Sequence, residues 1–202
     1  MKYRSRALAL LLAALCGAAM LTGCQKNKIT PEEELPYGAT MRSSTAYAVP
    51  ITYDRRFMED AQVVAVTDFL GAIEQSDGTV LERVTFPVYL SYELGEVYSD
   101  KCKDADDLAA VKHDAMADSY GSDFSFKEVN ITEMTQEQQR SGIAAMLSIL
   151  YQLSDDEQLA EKIENTWALT MEWTVQSSTG TELVQDRTLY LLEMDGTYYC
   201  IM

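Results

Sequence analysis

The sequence predicts an α+β domain in which helices come first and an antiparallel sheet comes last. Apolar residues recur at helical spacing in the first half, as in Val63, Val66, Leu70 and Ile73. Near the C-terminus the period changes: Trp167, Leu169, Met171, Trp173 and Val175 alternate with Ala168, Thr170, Glu172, Thr174 and Gln176. That alternation belongs to a long strand with one face over a core. Turn signals at Ser178-Thr179-Gly180 and Asp195-Gly196 cut the region into three strands. The sheet is expected to be strongly curved and covered by the helices on one side.

Before the domain, Lys2, Arg4 and Arg6 precede an apolar run from Ala7 to Leu21 and the small residues Thr22 and Gly23. This is the layout of a signal peptide over residues 1–23. Leu21-Thr22-Gly23-Cys24 resembles the lipobox of bacterial lipoproteins. The resemblance implies a diacylglyceryl group on the Cys24 sulfur and cleavage that makes Cys24 the first mature residue. Two acyl chains hold a protein stably, whereas one chain, at ~0.8 kcal/mol per buried methylene, holds it reversibly. The alternatives are an uncleaved signal anchor, its apolar run slightly short of the ~20 residues that span a bilayer, and cleavage without lipid.

The chain has 16 basic and 32 acidic residues, a net charge of −16. Loss of residues 1–23 removes three basic residues and no acid, which leaves 13 against 32 and a net charge of −19. Such a surface repels phosphate backbones and anionic headgroups. No nucleic-acid partner is expected, and contact with the membrane falls to the lipid anchor.

Residues 24–53 are polar, with Pro31, Pro36, Pro50 and the acidic run Glu32-Glu33-Glu34. No helical or strand period persists, so the segment reads as a flexible tether of ~30 Å reach. The alternative is an edge strand over Thr45 to Thr52, where Tyr47, Val49 and Ile51 alternate and Pro50 excludes a central position. Residues 54–202, about 150 in number, suffice for one domain with a single core.

Within it, the first helix is expected from an Asp54 N-cap to Gln75, ended by Ser76-Asp77-Gly78. Thr79 and Glu82 form the pattern of a capping box for a second helix. Pro87 interrupts it, so a break at Thr85-Phe86 and a new start at Pro87 are expected. A further helix spans Asp104 to Tyr120, with Leu108, Val111 and Ala115 inward and Gly121 at its end. Phe124 and Phe126 alternate in one phase and Val129 and Ile131 in the other, which predicts a strand with a bulge near Lys127-Glu128. Thr135 with Gln138 and Ser154 with Glu157 mark two more helix starts, the first bearing Ile143, Met146 and Leu150, the second Leu159 and Ile163.

Helices broken by a proline, one strand and a terminal meander follow one another in the order of the nuclear-transport-factor-2-like, cystatin-like cone fold. The residues behind this resemblance are the helix from Ala61 to Ile73, Val84-Thr85-Phe86-Pro87-Val88-Tyr89, Asp123-Phe124-Ser125-Phe126 and Met194-Asp195-Gly196-Thr197-Tyr198-Tyr199. The chain also resembles bacterial lipoproteins of unknown function. The fold implies a concave sheet closed by helices, with a pocket that different members use for binding, for proton-transfer chemistry or as a protein contact. The helical segment from Gln136 to Glu164 is additional to that order and would fill or lid the pocket.

Candidate site residues are few. Cys102 and Cys200 either form a disulfide in an oxidising envelope or remain two buried thiols. Asp186 and Tyr190 share a strand face with Val184 and Thr188, and as base and donor they would serve an isomerase or dehydratase in the pocket. The alternative is an exposed carboxylate beside Arg187. His113 falls on the polar side of its helix and is expected in solvent. Asp104, Asp106 and Asp107, like Asp155, Asp156 and Glu157, fit first turns of helices without metal. No zinc spacing, Gly-x-Ser-x-Gly elbow or phosphate loop occurs, so no cofactor and no catalytic residue is expected.

The expected function is therefore a lipid-anchored, extracytoplasmic, non-enzymatic binding or interaction domain of the cell envelope. Its partner would be an unknown small ligand or an envelope protein. A ligand pocket calls for a cavity of at least ~300 Å³ with few polar groups; a structural accessory of envelope machinery calls for a contiguous exposed apolar patch.

Overall fold

A computed structural model of the chain describes residues 31–136, 141–154 and 156–202. The signal segment, Cys24 and Gln138 lie outside the described residues. Glu32–Glu34 make a 3-10 turn in the first of two units, and residues 36–202 form the second.

The second unit is α+β, with one mixed six-stranded sheet in the order β1 to β6. Two of these strands come from the segment read as a tether: β1, Met41–Ser44, and β2, Ile51–Asp54. The folded unit therefore starts well before residue 54. Of the alternating Tyr47, Val49 and Ile51, the first is half-buried and the other two are buried, and the alternation continues to the buried Tyr53. Pro50 does not confine β2 to an edge, because it precedes the first strand residue and needs to donate no hydrogen bond. Its carbonyl instead accepts from Val129 N at 2.8 Å. β2 runs parallel to β3, Ser125–Thr135, so the sheet is not wholly antiparallel.

Asp54 is not a helix cap. It is fully buried at the end of β2, where its carboxylate accepts from Gly38 N (2.8 Å), Thr40 Oγ1 (2.5 Å) and three Arg56 donors, including Nη2 at 2.8 Å. Arg56 Nη2 also donates to the Pro36 carbonyl at 2.7 Å. These bonds fasten residues 36–40 to the sheet, which explains why a stretch without apolar period is ordered.

The first helix, α1, is Asp60–Gln75, capped by Glu59 in a reciprocal box with Gln62. It ends at Ser76 in the left-handed conformation. Helix α2, Gly78–Val84, takes its cap from Asp77, whose side chain accepts from Val80 N, and not from Thr79. Asp77 wins because its carboxylate lies one turn before the first free N–H groups. A Cβ on Gly78 would come within 2.1–2.4 Å of Asp106 atoms, so only glycine lets α2 start this close to the next long helix.

The proline break has a topological use. Thr85 pairs with Cys200 of β6, Thr197–Ile201, and Phe86 N donates to the Cys200 carbonyl at 3.1 Å. The chain thereby rounds the β6 edge: Leu81 and Val84 lie in one apolar cluster and Phe86 in another. Helix α3, Pro87–Tyr92, begins with proline at its first turn and continues as a π-helical turn, Glu93–Val97. Helix α4, Ala105–Tyr120, has Asp104 as its cap, accepting from Asp106 N and Asp107 N, and Gly121 at its end.

β3 carries the expected bulge, an extra residue at Lys127 opposite β4, Ile163–Ser177. Thr135 closes β3 instead of opening a helix; α5 is Ser141–Leu153 and α6 Leu159–Lys162, with Ile163 already in β4. β5, Gly180–Met194, joins β6 through Asp195 and Gly196, both at positive φ as a tight hairpin turn requires.

Both faces of the sheet are covered. Leu169, Met171, Trp173, Leu189, Leu191 and Cys200 pack with α1, α2 and α4. Leu192 and Ile201 point the other way and pack with Met146 and Leu150 of α5. The additional helical segment thus builds a second, smaller core behind the sheet. Among the described residues no helix is long and apolar enough to cross a membrane.

Candidate functional site

A cavity of about 260 Å³ lies between α1, α4 and the core face of the sheet. Leu70 and Ile73 come from the last turns of α1, Lys112, Met116 and Ser119 from one side of α4, and Phe126 and Trp173 from the sheet. Phe126 and Trp173 meet edge to face, with ring centroids 5.7 Å apart. Tyr98 and Tyr120 complete a wall that is mainly aromatic and apolar.

Arg187 reaches this cavity through a fault in strand register. Trp173 pairs with Val184 and Met171 with Arg187, so Gln185 and Asp186 together oppose the single residue Glu172. Asp186 makes the bulge at φ 56°, a conformation that Asp tolerates better than most residues. Beyond the bulge the faces exchange. Arg187 and Leu189, not Asp186 and Thr188, follow Val184 on the core side, and the Arg187 guanidinium lies 5.8 Å from the Trp173 ring centroid.

The bulge also takes the expected acid and donor off the core side, and they are not buried together. Asp186 is exposed, whereas Tyr190 is half-buried, its hydroxyl against Gly142 of α5, where a Cβ would approach it to 2.9 Å. They form no common pocket. Cys102 and Cys200 are buried free thiols and form no bridge; burial pushes both thiols above their ordinary range. The Cys200 thiol donates to the Ala65 carbonyl at 3.6 Å. His113 is not in solvent: its Nδ1 donates to the Ile73 and Glu74 carbonyls at 3.2 and 3.0 Å and its ring packs on Phe124. These carbonyls end α1, so the imidazole caps a neighbouring helix. Val111 is only half-buried and Ala115 is exposed, since α4 turns that side toward the cavity mouth.

Lys112, on the cavity wall, has its Nζ 2.6 Å from Glu93 Oε1. Glu93 is 3% exposed, and its Oε2 has no hydrogen-bond partner. Burial raises the Glu93 carboxyl above the usual range, and Lys112 opposes that rise. Trp173, also 3% exposed, has an indole Nε1 without an acceptor. Four buried side-chain polar atoms lack a partner among the described residues, the others being Thr85 Oγ1 and Asn130 Oδ1. Two of the four therefore belong to the cavity wall or to the residue paired with it. An unsatisfied buried group costs about 1–3 kcal/mol.

Other depressions lack this aromatic wall around a buried polar group. A groove of about 410 Å³ beside α1 and the β5–β6 turn is more open, and its charged residues, Asp68 and Arg83, already pair at 2.8 Å. Exposed large apolar residues are spread over several elements, including Met41, Phe57, Val64, Val97, Ile149 and Leu183. Among the described residues no group of three or more His, Cys, Asp or Glu is placed to hold a metal ion. Sequence reasoning overlooked Lys112, Trp173 as a donor, and Arg187. The spacing from Val184 to Leu189, odd where a regular strand needs even, is the signal that would have placed Arg187.

Comparison of the chain with protein-family models, with curated proteins and with solved structures finds no match in any of the three.

Proposed function

We propose that this protein is an extracytoplasmic lipoprotein, anchored through Cys24, whose folded part binds a small molecule in the cavity between α4 and the sheet. The observation that carries the binding reading is Trp173: a buried indole N–H with no acceptor, in an aromatic cavity. At about 260 Å³ the cavity falls short of the ~300 Å³ expected of a drug-sized site, which limits the ligand to a smaller molecule. The anchor rests on Lys2, Arg4, Arg6, the apolar run and Leu21-Thr22-Gly23-Cys24. As architecture we propose an open variant of the nuclear-transport-factor-2-like cone, supported by the proline-broken helices and the terminal meander; the parallel β2–β3 pair and the helix behind the sheet are its own additions.

Intact mass of the membrane-extracted protein tests the anchor, with a chain starting at a diacylated Cys24 as the expected result and an unmodified Cys24 as the contrary one. A thermal-shift screen of small acids, amines and sugars against the full chain tests the cavity. Stabilisation that disappears in Ser119→Trp, which blocks the cavity from an exposed helix position, is expected; stabilisation unchanged by that substitution, or none at all, contradicts the binding reading.

A further inference from the structure

We infer that the ligand is a small organic carboxylate with a flat apolar body, its charge held at Arg187 and Trp173. This rests on the cavity being a binding site, and three features of the wall define the chemistry. The first is charge. Acidic residues outnumber basic ones 32 to 16 in the chain, yet among the described residues the wall contains Lys112 and Arg187 and no Asp or Glu. Basic charge without a carboxylate in the wall keeps this concavity attractive to an anion in an otherwise acidic protein.

The second is the supply of donors. Trp173 offers an N–H with no acceptor, Arg187 stacks over that same indole, and Arg187 makes no ion pair among the described residues. A guanidinium presents a planar fork that matches a carboxylate, and the indole N–H adds a third donor from the ring it covers. Lys112 differs: its charge is already met by Glu93 at 2.6 Å, so it supports the field without being the seat.

The third is shape. Phe126, Tyr98, Tyr120 and Met116 give the remainder of the wall flat, polarisable surfaces that suit a ring or a short unsaturated chain. The register bulge at Gln185-Asp186 is what brings the cation to the aromatic floor, and a regular strand would turn Arg187 to the opposite face.

The test is calorimetric titration of the full chain with 1-naphthoate and with 1-naphthamide, which share one ring system and differ in the charge of a single group. Expected is a preference for the acid of about tenfold or more, as a charge-assisted hydrogen bond provides. That preference falls to near unity in Arg187→Gln, an exposed position whose substitution leaves folding intact, and is reduced severalfold in Trp173→Phe. If both compounds bind equally and Ser119→Trp abolishes both, the cavity binds ligands but the anion inference is overturned. If neither binds, or Ser119→Trp changes nothing, the binding reading fails as well.

Discussion

Two buried acid–base pairs, Asp54 with Arg56 and Glu93 with Lys112, show what separates a structural network from a site. Asp54 accepts from five donors on Gly38, Thr40 and Arg56, and both of its oxygens are used. Arg56, the largest influence, holds its carboxyl well below the usual range, against the opposing effect of burial. Glu93 uses one oxygen only, and there burial prevails and moves the carboxyl upward. The first pair fixes the segment before β2 to the sheet. The second leaves polar capacity unfilled beside the wall of a cavity.

The comparison is broken most forcefully by making the same change in both pairs. Asp54→Asn removes the charge facing a buried guanidinium and gives two donors to a site that needs acceptors. The expected cost is about 3–5 kcal/mol, read as a lower urea midpoint. Its sign with pH is defined: the folded value lies below the unfolded value near ~3.9, so the contribution is present above that pH and is lost as the pH falls toward the folded value. The variant should therefore approach the parent protein in acid and differ most at neutral pH.

Glu93→Gln should behave in the opposite manner and by less, about 1 kcal/mol or below. The folded Glu93 keeps its proton to higher pH than the unfolded residue near ~4.3. Its contribution is fullest below that value and declines as the pH rises through the raised one. Urea unfolding at pH 4 and pH 7 should show the cost of Glu93→Gln shrinking with pH while that of Asp54→Asn grows. Equal costs with equal slopes would remove the distinction between the two pairs.

Much of the architecture was legible because local signals agreed with the tertiary result. The alternation from Trp167 to Val175, the Asp195-Gly196 turn, the Pro87 start, the Asp104 cap and the phase change at Lys127 all reappear as read. The segment from Pro36 to Asp54 was not legible, because its order comes from the Asp54–Arg56 bonds and from parallel pairing with a strand distant in sequence, as in Ile51 with Val129. Those are long-range causes without a local period. The cavity was illegible for a related reason. A single left-handed residue, Asp186, exchanges the faces of β5, so counting by twos put Asp186 and Tyr190 where Arg187 and Leu189 belong.

The central claim, that Trp173 awaits an acceptor from outside the chain, has a direct spectroscopic readout. The chain has two tryptophans, and Trp167→Phe identifies the indole N–H resonance of Trp173 in a nitrogen–proton correlation spectrum of the full chain. During titration with 1-naphthoate that resonance should shift downfield, as hydrogen bonding requires, while the Trp167 indole stays in place. A Trp173 indole signal that does not move at saturating 1-naphthoate would contradict the account.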